Sequence, residues 1–381
     1  MNIHNAGDLA QMQALPLDAK IIMTKQRIKI WYEAWTRFEI FNRNTGKSRF
    51  ITFDARGQRE PPLAETEYIV SALPGWVYVS FSGGKDSTVL RHIVNSMYDD
   101  VPSLFVNTGL EYPEIQKFAM SQQNVVTVRP EMRFDEVIKK YGYPVISKEV
   151  SQKIYEYRQN PDGYAKYRFD ENSDYVKRYG KAFCLSRWAW LRDSDIPISH
   201  KCCHIMKKKP AKQYEKNTGR IPFIGTLADE SRLRKTRWLQ NGCNAFSTKR
   251  PTSQPLSFWT EQDILHYIKK YDVPYCSVYG DIVPDLKRES QDQLNIFDLF
   301  TDNDPMHKLK TTGCDRTGCI FCMFGCHLEK EPNRFQRLKE THPRQYEYCI
   351  GGGETVDGKW QPSKQGLGLG KVLDYIGVKY D

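Results

Sequence analysis

The sequence predicts an α/β fold built on a doubly wound parallel sheet. Three observations carry that expectation. Val77–Phe81 is a short apolar, β-branched run of the kind a buried strand shows. A glycine-containing turn, Ser82-Gly83-Gly84-Lys85-Asp86-Ser87-Thr88, follows directly, and an amphipathic helix begins at Val89-Leu90. Strand and helix patterns then alternate with short turns through Ser103–Val106 and Asn124–Val128, as crossover helices on a parallel sheet require.

Around this centre the chain divides into three consecutive stretches: an N-terminal helix and insert over 1–75, a nucleotide-binding domain over 76–275, and a cysteine-rich region over 276–381. Pro16–Phe38 reads as a helix with Ile21, Ile28, Trp31 and Trp35 near one face, the tryptophans packing in the core. From Asn42 to Gly75, turn residues, basic residues and prolines break the pattern, and a strand pair or loop is expected. Past Ser103–Val106 the chain turns through Asn107-Thr108-Gly109-Leu110-Glu111-Tyr112-Pro113-Glu114. Ligands of open parallel sheets bind beyond the strand C-termini, where this turn and Ser82–Thr88 both lie.

Within 150–195, aromatic and basic residues interleave, among them Tyr155, Arg158, Tyr164, Arg168, Tyr175, Tyr179, Arg187, Trp188 and Trp190. Stacking faces beside cations suit single-stranded nucleic acid. A solvated arm whose aromatics pack on the body is the other reading. Pro222–Thr226 reads as a further strand, and Thr260 with Asp263 as the capped start of a helix that ends before Val273-Pro274. A polar insert follows around Asp285–Asp304.

A chain of 381 residues, 40% hydrophobic and 27% charged, buries a core of about two domains. No stretch of about 18 apolar residues appears, and the N-terminus lacks a basic-then-apolar leader, so a cytoplasmic protein with no membrane partner is expected. In a reducing compartment ten cysteines point to metal or redox chemistry rather than disulfides. A net charge of +10 favours a polyanionic partner.

Two adjacent glycines after a strand let the backbone approach a ligand, and the following helix aims its free N–H groups at it. Lys85 adds a positive charge and Ser82, Ser87 and Thr88 add hydroxyls, which together suit a phosphate or pyrophosphate. The spacing is neither Gly-x-x-x-x-Gly-Lys-Ser/Thr nor Gly-x-Gly-x-x-Gly. Asp86 suits Mg²⁺, and Arg232 and Arg234 suit bidentate phosphate contacts. Among the cysteines, Cys202, Cys203, Cys319 and Cys322 form one ligand set, and Cys314, Cys319, Cys322 and Cys326 a local alternative. Four thiolates accept an iron–sulfur cluster or zinc. Cys184, Cys243, Cys276 and Cys349 read as buried, inert thiols.

Ser82–Ser87 resembles the PP-loop, Ser-Gly-Gly-x-Asp-Ser, of the ATP pyrophosphatases. Residues 76–325 resemble the phosphoadenosine/adenosine phosphosulfate reductase family of that superfamily. The motifs are Asn107–Glu114, Glu230-Ser231-Arg232 with Arg234, Pro255-Leu256-x-x-Trp259-Thr260-x-x-Asp263-Ile264 with Pro274-Tyr275, Cys202-Cys203-x-x-x-Lys207-x-x-Pro210 and Gly318-Cys319-x-x-Cys322. The resemblance implies an adenine nucleotide alpha hydrolase-like fold. It implies ATP over Ser82–Thr88, with Lys85, Asp86 and Arg232 catalytic. Asn107, Thr108 and Gly109 would contact the adenosine side or the Mg²⁺ site, and Glu230, Ser231, Arg232 and Arg234 the nucleotide. It further implies a [4Fe–4S] cluster on Cys202, Cys203, Cys319 and Cys322.

The sulfonucleotide reductases carry an altered loop and a C-terminal nucleophilic cysteine. Here the loop is intact and Gly366–Asp381 has no cysteine. This directs the expectation to the branch with an intact loop and a cluster, such as the DNA phosphorothioation enzymes and tRNA thiolases. The expected activity is ATP-dependent adenylation with release of pyrophosphate, serving sulfur transfer to a nucleic acid, with a cysteine desulfurase or other sulfur donor protein as partner. An assimilatory sulfonucleotide reductase and a non-catalytic nucleotide- or nucleic-acid-binding regulator are the alternatives.

Overall fold

The computed structural model describes residues 3–56, 60–285 and 308–381. The polar insert expected around 285–304 lies, past Asp285, outside the described residues. Two compact units interleave along the chain: one takes 1–106, 112–128 and 211–317, the other 107–111, 129–210 and 318–381. These units cut across the three consecutive stretches that composition suggests, because strand pairing joins segments far apart in sequence.

The first unit is built on a six-stranded sheet. Its strands are β4 (Val77–Phe81), β5 (Ser103–Val106), β6 (Val125–Val128), β7 (Ile221–Ile224), β8 (Asn244–Ala245) and β9 (Thr252–Ser253), in the order β6-β5-β4-β7-β9-β8. All neighbours run parallel except the edge pair β9–β8. The sheet expected from the sequence is therefore present with one antiparallel edge strand. Val79 sits opposite both Ser103 of β5 and Phe223 of β7, so β4 is the central strand. The chain leaves β4 on one side and returns on the other, and such a reversal opens a crevice at the strand C-termini.

Ahead of the sheet stand α1 (Ala6–Gln13), α2 (Leu17–Ala34) and a three-stranded antiparallel sheet of β1 (Trp35–Asn42), β2 (Lys47–Asp54) and β3 (Glu67–Pro74), in the order β2-β1-β3. The helix expected to reach Phe38 ends at Ala34. From Trp35 β1 gains strand partners on both sides, and Phe38 and Ile40 bury on one face, which outweighs any helical continuation. Trp31 and Trp35 are buried, as expected, in a core shared with Val79, Leu90, Phe223 and Trp259.

Further helices of the unit include α3 (Lys85–Asn95), α4 (Pro113–Ser121), α5 (Arg232–Asn241) and α6 (Glu261–Lys270). Thr260 caps α6 in a reciprocal box with Asp263. The Asp263 carboxylate also accepts two hydrogen bonds, at 2.8 and 2.7 Å, from the buried Lys20 ammonium.

The second unit carries helix Lys148–Gln159 and the aromatic–basic stretch. Much of that stretch is internally satisfied. Arg158 donates to the carbonyls of Leu191, Arg192, Ser194 and Ile196, and Arg168 to Phe183 O and Glu149. Tyr175 packs on both Tyr164 and Tyr179. Arg158 and Arg168 are thus committed within the stretch, whereas Tyr164, Tyr167, Tyr179, Phe183 and Trp190 remain exposed. A hairpin, Glu354–Val356 with Lys359–Gln361, and a helix, Leu369–Tyr375, lie toward the C-terminus. No helix among the described residues is long and apolar enough to cross a membrane.

Asp263→Ala should lower unfolding free energy by about 3–5 kcal/mol, the cost of leaving a buried charge unpaired. Lys20→Met, which keeps the volume and leaves the Asp263 carboxylate its hydrogen bonds from Thr260 N and Oγ1, should cost less. Urea denaturation of the two variants checks the order.

Candidate nucleotide and cysteine sites

In the first unit Ser82–Thr88 follows β4 as the sequence predicts, but α3 starts at Lys85 rather than Val89. Gly84 is the N-cap, and Ser87 Oγ and Thr88 Oγ1 both donate to its carbonyl, at 2.9 and 3.0 Å. These are back-bonds to the N-cap carbonyl rather than caps on the free N–H groups of α3, and Gly84 supplies no side-chain cap. Ser87 Oγ also accepts from Ser82 N at 3.1 Å, so the loop is closed on itself. Gly83 has φ +73°, and a Cβ there would fall 2.9 Å from Ile115 Cγ2 and 3.1 Å from Ile115 O of α4. A side chain is excluded on both conformational and steric grounds.

Lys85 is buried, with Nζ 2.9 Å from Asp315 O and 2.9 Å from Glu261 Oε1. Tyr279 OH accepts from Lys85 N at 3.1 Å and sits 2.6 Å from Thr317 Oγ1. Asp86 Oδ1 is buried, makes no hydrogen bond among the described residues, and lies 3.8 Å from Lys85 Nζ. Burial raises the Asp86 pKa. Lys85 opposes this, Glu261 adds to it, and Arg316 and Arg234 oppose it. A carboxylate with an unmatched buried oxygen, a second carboxylate nearby and cations around it is a fitting donor pair for Mg²⁺.

Glu230 accepts from Leu227 N and pairs with Arg234, and Ser231 caps α5 through Arg234 N. Arg232 is exposed at the first position of α5; Arg234 is the arginine whose charge reaches Asp86. Sequence reasoning missed Glu261, Tyr279, Arg316 and Thr317 as residues of this site. Arg316 and Thr317 stood within the cysteine motif, where the thiols drew the reading. Gly225 was also legible only as part of a strand, yet a Cβ on it would lie 3.1 Å from Asp86 O.

In the second unit, Asn107 and Thr108 are buried. Gly109 N donates to Asn107 Oδ1 at 3.2 Å, and Glu111 accepts from Thr108 N and Thr108 Oγ1 at 3.1 and 2.7 Å. Glu111 acts electrostatically on Lys207 and Cys319 as well.

Cys202 senses the charges of Cys319, Cys203 and Cys322, and Cys322 senses Cys203. The distant pairs therefore lie in one unit, within electrostatic reach of each other. Burial pushes the Cys319 thiol up to about 11, against the pull of Lys207, which also hydrogen-bonds it. Burial likewise raises Cys202 and Cys322. Cys326 donates to Met323 O at 3.1 Å, and Cys314 belongs to the first unit, where its charge acts on Cys276. Four thiols with a lysine beside them fit a cluster or zinc as a donor set. Among the described residues, however, no three His, Cys, Asp or Glu side chains converge closely enough to form a ready metal site.

The phosphoadenosine phosphosulfate reductase domain profile matches residues 76–159 and 164–324. The chain belongs to this family. An uncharacterised protein of Methanocaldococcus jannaschii is 23% identical over 279 residues, 70% of this chain and 45% of that protein. Adenosine 5'-phosphosulfate reductase of Staphylococcus haemolyticus is 31% identical over 88 residues, 23% of this chain and 35% of that enzyme. The chain thus spans less than half the length of either curated relative. A crystal structure of phosphoadenylyl-sulfate reductase from Candida auris, a phosphate complex, matches with TM-score 0.29 and 16% identity, covering 53% of this chain and 75% of that one. As a member of the phosphoadenosine phosphosulfate reductase family, the chain has an α/β fold with a mainly parallel central sheet.

The raised pKa of Asp86 gives a signed expectation. Its neutral form suits the nucleotide-free fold, so that contribution is complete below the ordinary carboxylate pKa and is lost as pH rises through the elevated one. Asp86→Asn should therefore raise Tm above wild type at pH 8, with the gain shrinking as the pH falls. Thermal melts across pH without nucleotide test this; an equal or lower Tm at pH 8 would show that the surrounding cations already compensate the charge.

Proposed function

We propose that the chain is an ATP pyrophosphatase that adenylates an acceptor and releases pyrophosphate, as the activating half of a sulfur transfer to a nucleic acid. The supporting observation is the loop Ser82–Thr88 with its Lys85–Glu261–Asp86 charge cluster at the end of the central strand. An acceptor oxygen attacks the α-phosphorus. A bond forms there as the bond from that phosphorus to the bridging oxygen breaks, and the bridging electrons leave with pyrophosphate. Lys85 and the N–H groups opening α3 hold the β- and γ-phosphates in line. Asp86, with Glu261, would hold Mg²⁺, which neutralises charge on the leaving group. Arg234 and Arg316 add positive charge beside Asp86. AMP is then a good leaving group for an incoming sulfur nucleophile. Cys202, Cys203, Cys319 and Cys322 would hold a [4Fe–4S] cluster, which supplies sulfur or electron chemistry; zinc on the same thiols would be structural.

A second reading is sulfonucleotide reduction. The stretch of 31% identity to adenosine 5'-phosphosulfate reductase favours it. Acceptor-dependent ATP–pyrophosphate exchange supports adenylation, and thioredoxin-dependent sulfite release from a sulfonucleotide supports reduction. Tight nucleotide binding with neither activity would mark a regulator.

Lys85→Ala should weaken ATP binding about tenfold to a hundredfold, as loss of one charged hydrogen bond does. Asp86→Ala should abolish pyrophosphate release with the fold intact by circular dichroism. Wild-type release in both variants would reject this loop as the site. Anaerobically purified protein should be brown with about four iron atoms per chain. Cys319→Ser, Cys322→Ser, Cys202→Ser and Cys203→Ser should each lose iron, whereas Cys314→Ser and Cys326→Ser should keep it. Colourless protein with one zinc would reject the cluster.

A further inference from the structure

The second unit holds a cavity of about 800 Å³, within the size range of small-ligand sites. It lies between the ends of helices Phe134–Tyr141 and Lys148–Gln159 and the turn of the C-terminal hairpin. Tyr155 and Trp360 give it aromatic walls, and Lys139, Lys140 and Lys359 line it with positive charge. Of its other charged residues, Arg158 is spent on backbone carbonyls and Asp195 on Lys371, 3.5 Å away, so Asp357 is left facing three lysines. Anionic and aromatic in one ligand is the chemistry of a nucleotide.

The surroundings extend the same pattern. The Lys371 ammonium lies 4.5 Å from the centre of the Trp360 ring. Tyr375, one helical turn beyond Lys371, lies 5.2 Å from Trp190, which is 6.2 Å from Trp188, and Arg187 covers Trp188 at 5.0 Å. Tyr375 and Trp190 are 41% and 42% exposed. Open rings alternating with cations form a track for successive bases of one strand, since any base can stack and every linkage carries a charge.

We infer that the cavity holds one nucleotide of a single-stranded nucleic acid. Its base lies against Trp360 and Tyr155, its phosphate faces Lys139, Lys140 and Lys359, and neighbouring bases lie along Tyr375 and Trp190. This rests on the reading of a nucleic acid as acceptor and locates where that acceptor is gripped. No disruption of the sheet or of the Ser82–Thr88 loop is needed to test it.

Fluorescence anisotropy of the full chain with a short labelled oligothymidylate provides the test. Lys139→Glu/Lys140→Glu should weaken binding at least about tenfold and flatten the slope of log K against log salt by about 0.7, the loss of one single-strand phosphate contact. Trp190→Ala should weaken binding at least about fivefold, as loss of one stacking ring does. The matched surface pair Lys117→Glu/Lys216→Glu should stay within about twofold of wild type. Equal losses in both lysine pairs would overturn the site. Binding of thymidine monophosphate that depends on Lys139 and Lys140, with no strand binding, would overturn the strand in favour of a free nucleotide. The assay needs no turnover. Strand binding with these sensitivities but without pyrophosphate exchange counts against adenylation and supports the cavity; exchange without strand binding does the reverse.

Discussion

The reversal of the chain between Phe81 and Lys85 is the constraint on which the nucleotide site depends. The backbone must turn from the central strand into α3 while pressed against α4, and Gly83 permits it because its left-handed conformation leaves no room for a Cβ beside the Ile115 carbonyl. On the other side Gly225, just past β7, lets that strand's end approach the backbone of Asp86. The first turn of α3 is thereby fixed between two neighbours. Lys85 and Asp86 inherit their positions from this packing, which is why a charge as costly as a buried ammonium is tolerated: Glu261 and the Asp315 carbonyl are both within 2.9 Å of it.

The parts of the fold governed by local pattern were legible in the sequence. Val77–Phe81 and Ser103–Val106 are strands as expected, because runs of buried apolar residues between turn signals admit few other structures. The capped start of α6 was also legible, since Thr260 and Asp263 act on each other three residues apart. The helix at Leu17–Ala34 was overextended because the four-residue spacing of Trp31 and Trp35 crosses the boundary, while the strand partners that end it lie as far off as Pro74. The start of α3 lies upstream of the apolar pattern because the four polar residues Lys85–Thr88 carry no apolar period.

The candidate sites divide in the same way. Ser82–Thr88 could be read as an anion site from its own residues. Glu261, Tyr279 and Arg316 could not, because their relation to Lys85 and Asp86 is made by the path of the chain across some 170 to 230 residues of sequence, as the Lys85–Asp315 separation of 230 illustrates. Cys202 and Cys203 are brought within electrostatic reach of Cys319 and Cys322 by the second unit's assembly, whereas Cys314, five residues before Cys319, belongs to the first. Cys326, of the local set, lies in the second unit as well and is likewise within electrostatic reach of Cys322.

The interleaving of the two units bears on how the protein reaches its folded state. β4, β5 and β6 can pair early, since they follow one another with only single helices between them. β7 must wait: Val77 pairs with Ile221, so the central strand's second edge stays bare until the intervening chain has been gathered in. Most of the second unit is made from that intervening stretch, yet it also needs residues 318–381 from the far end of the chain. Contacts of such sequence separation carry a large loop-closure entropy and slow folding. During synthesis the apolar edge of β4 is therefore exposed for the time taken to make well over a hundred residues, an interval in which an unpaired strand is most open to the wrong partner.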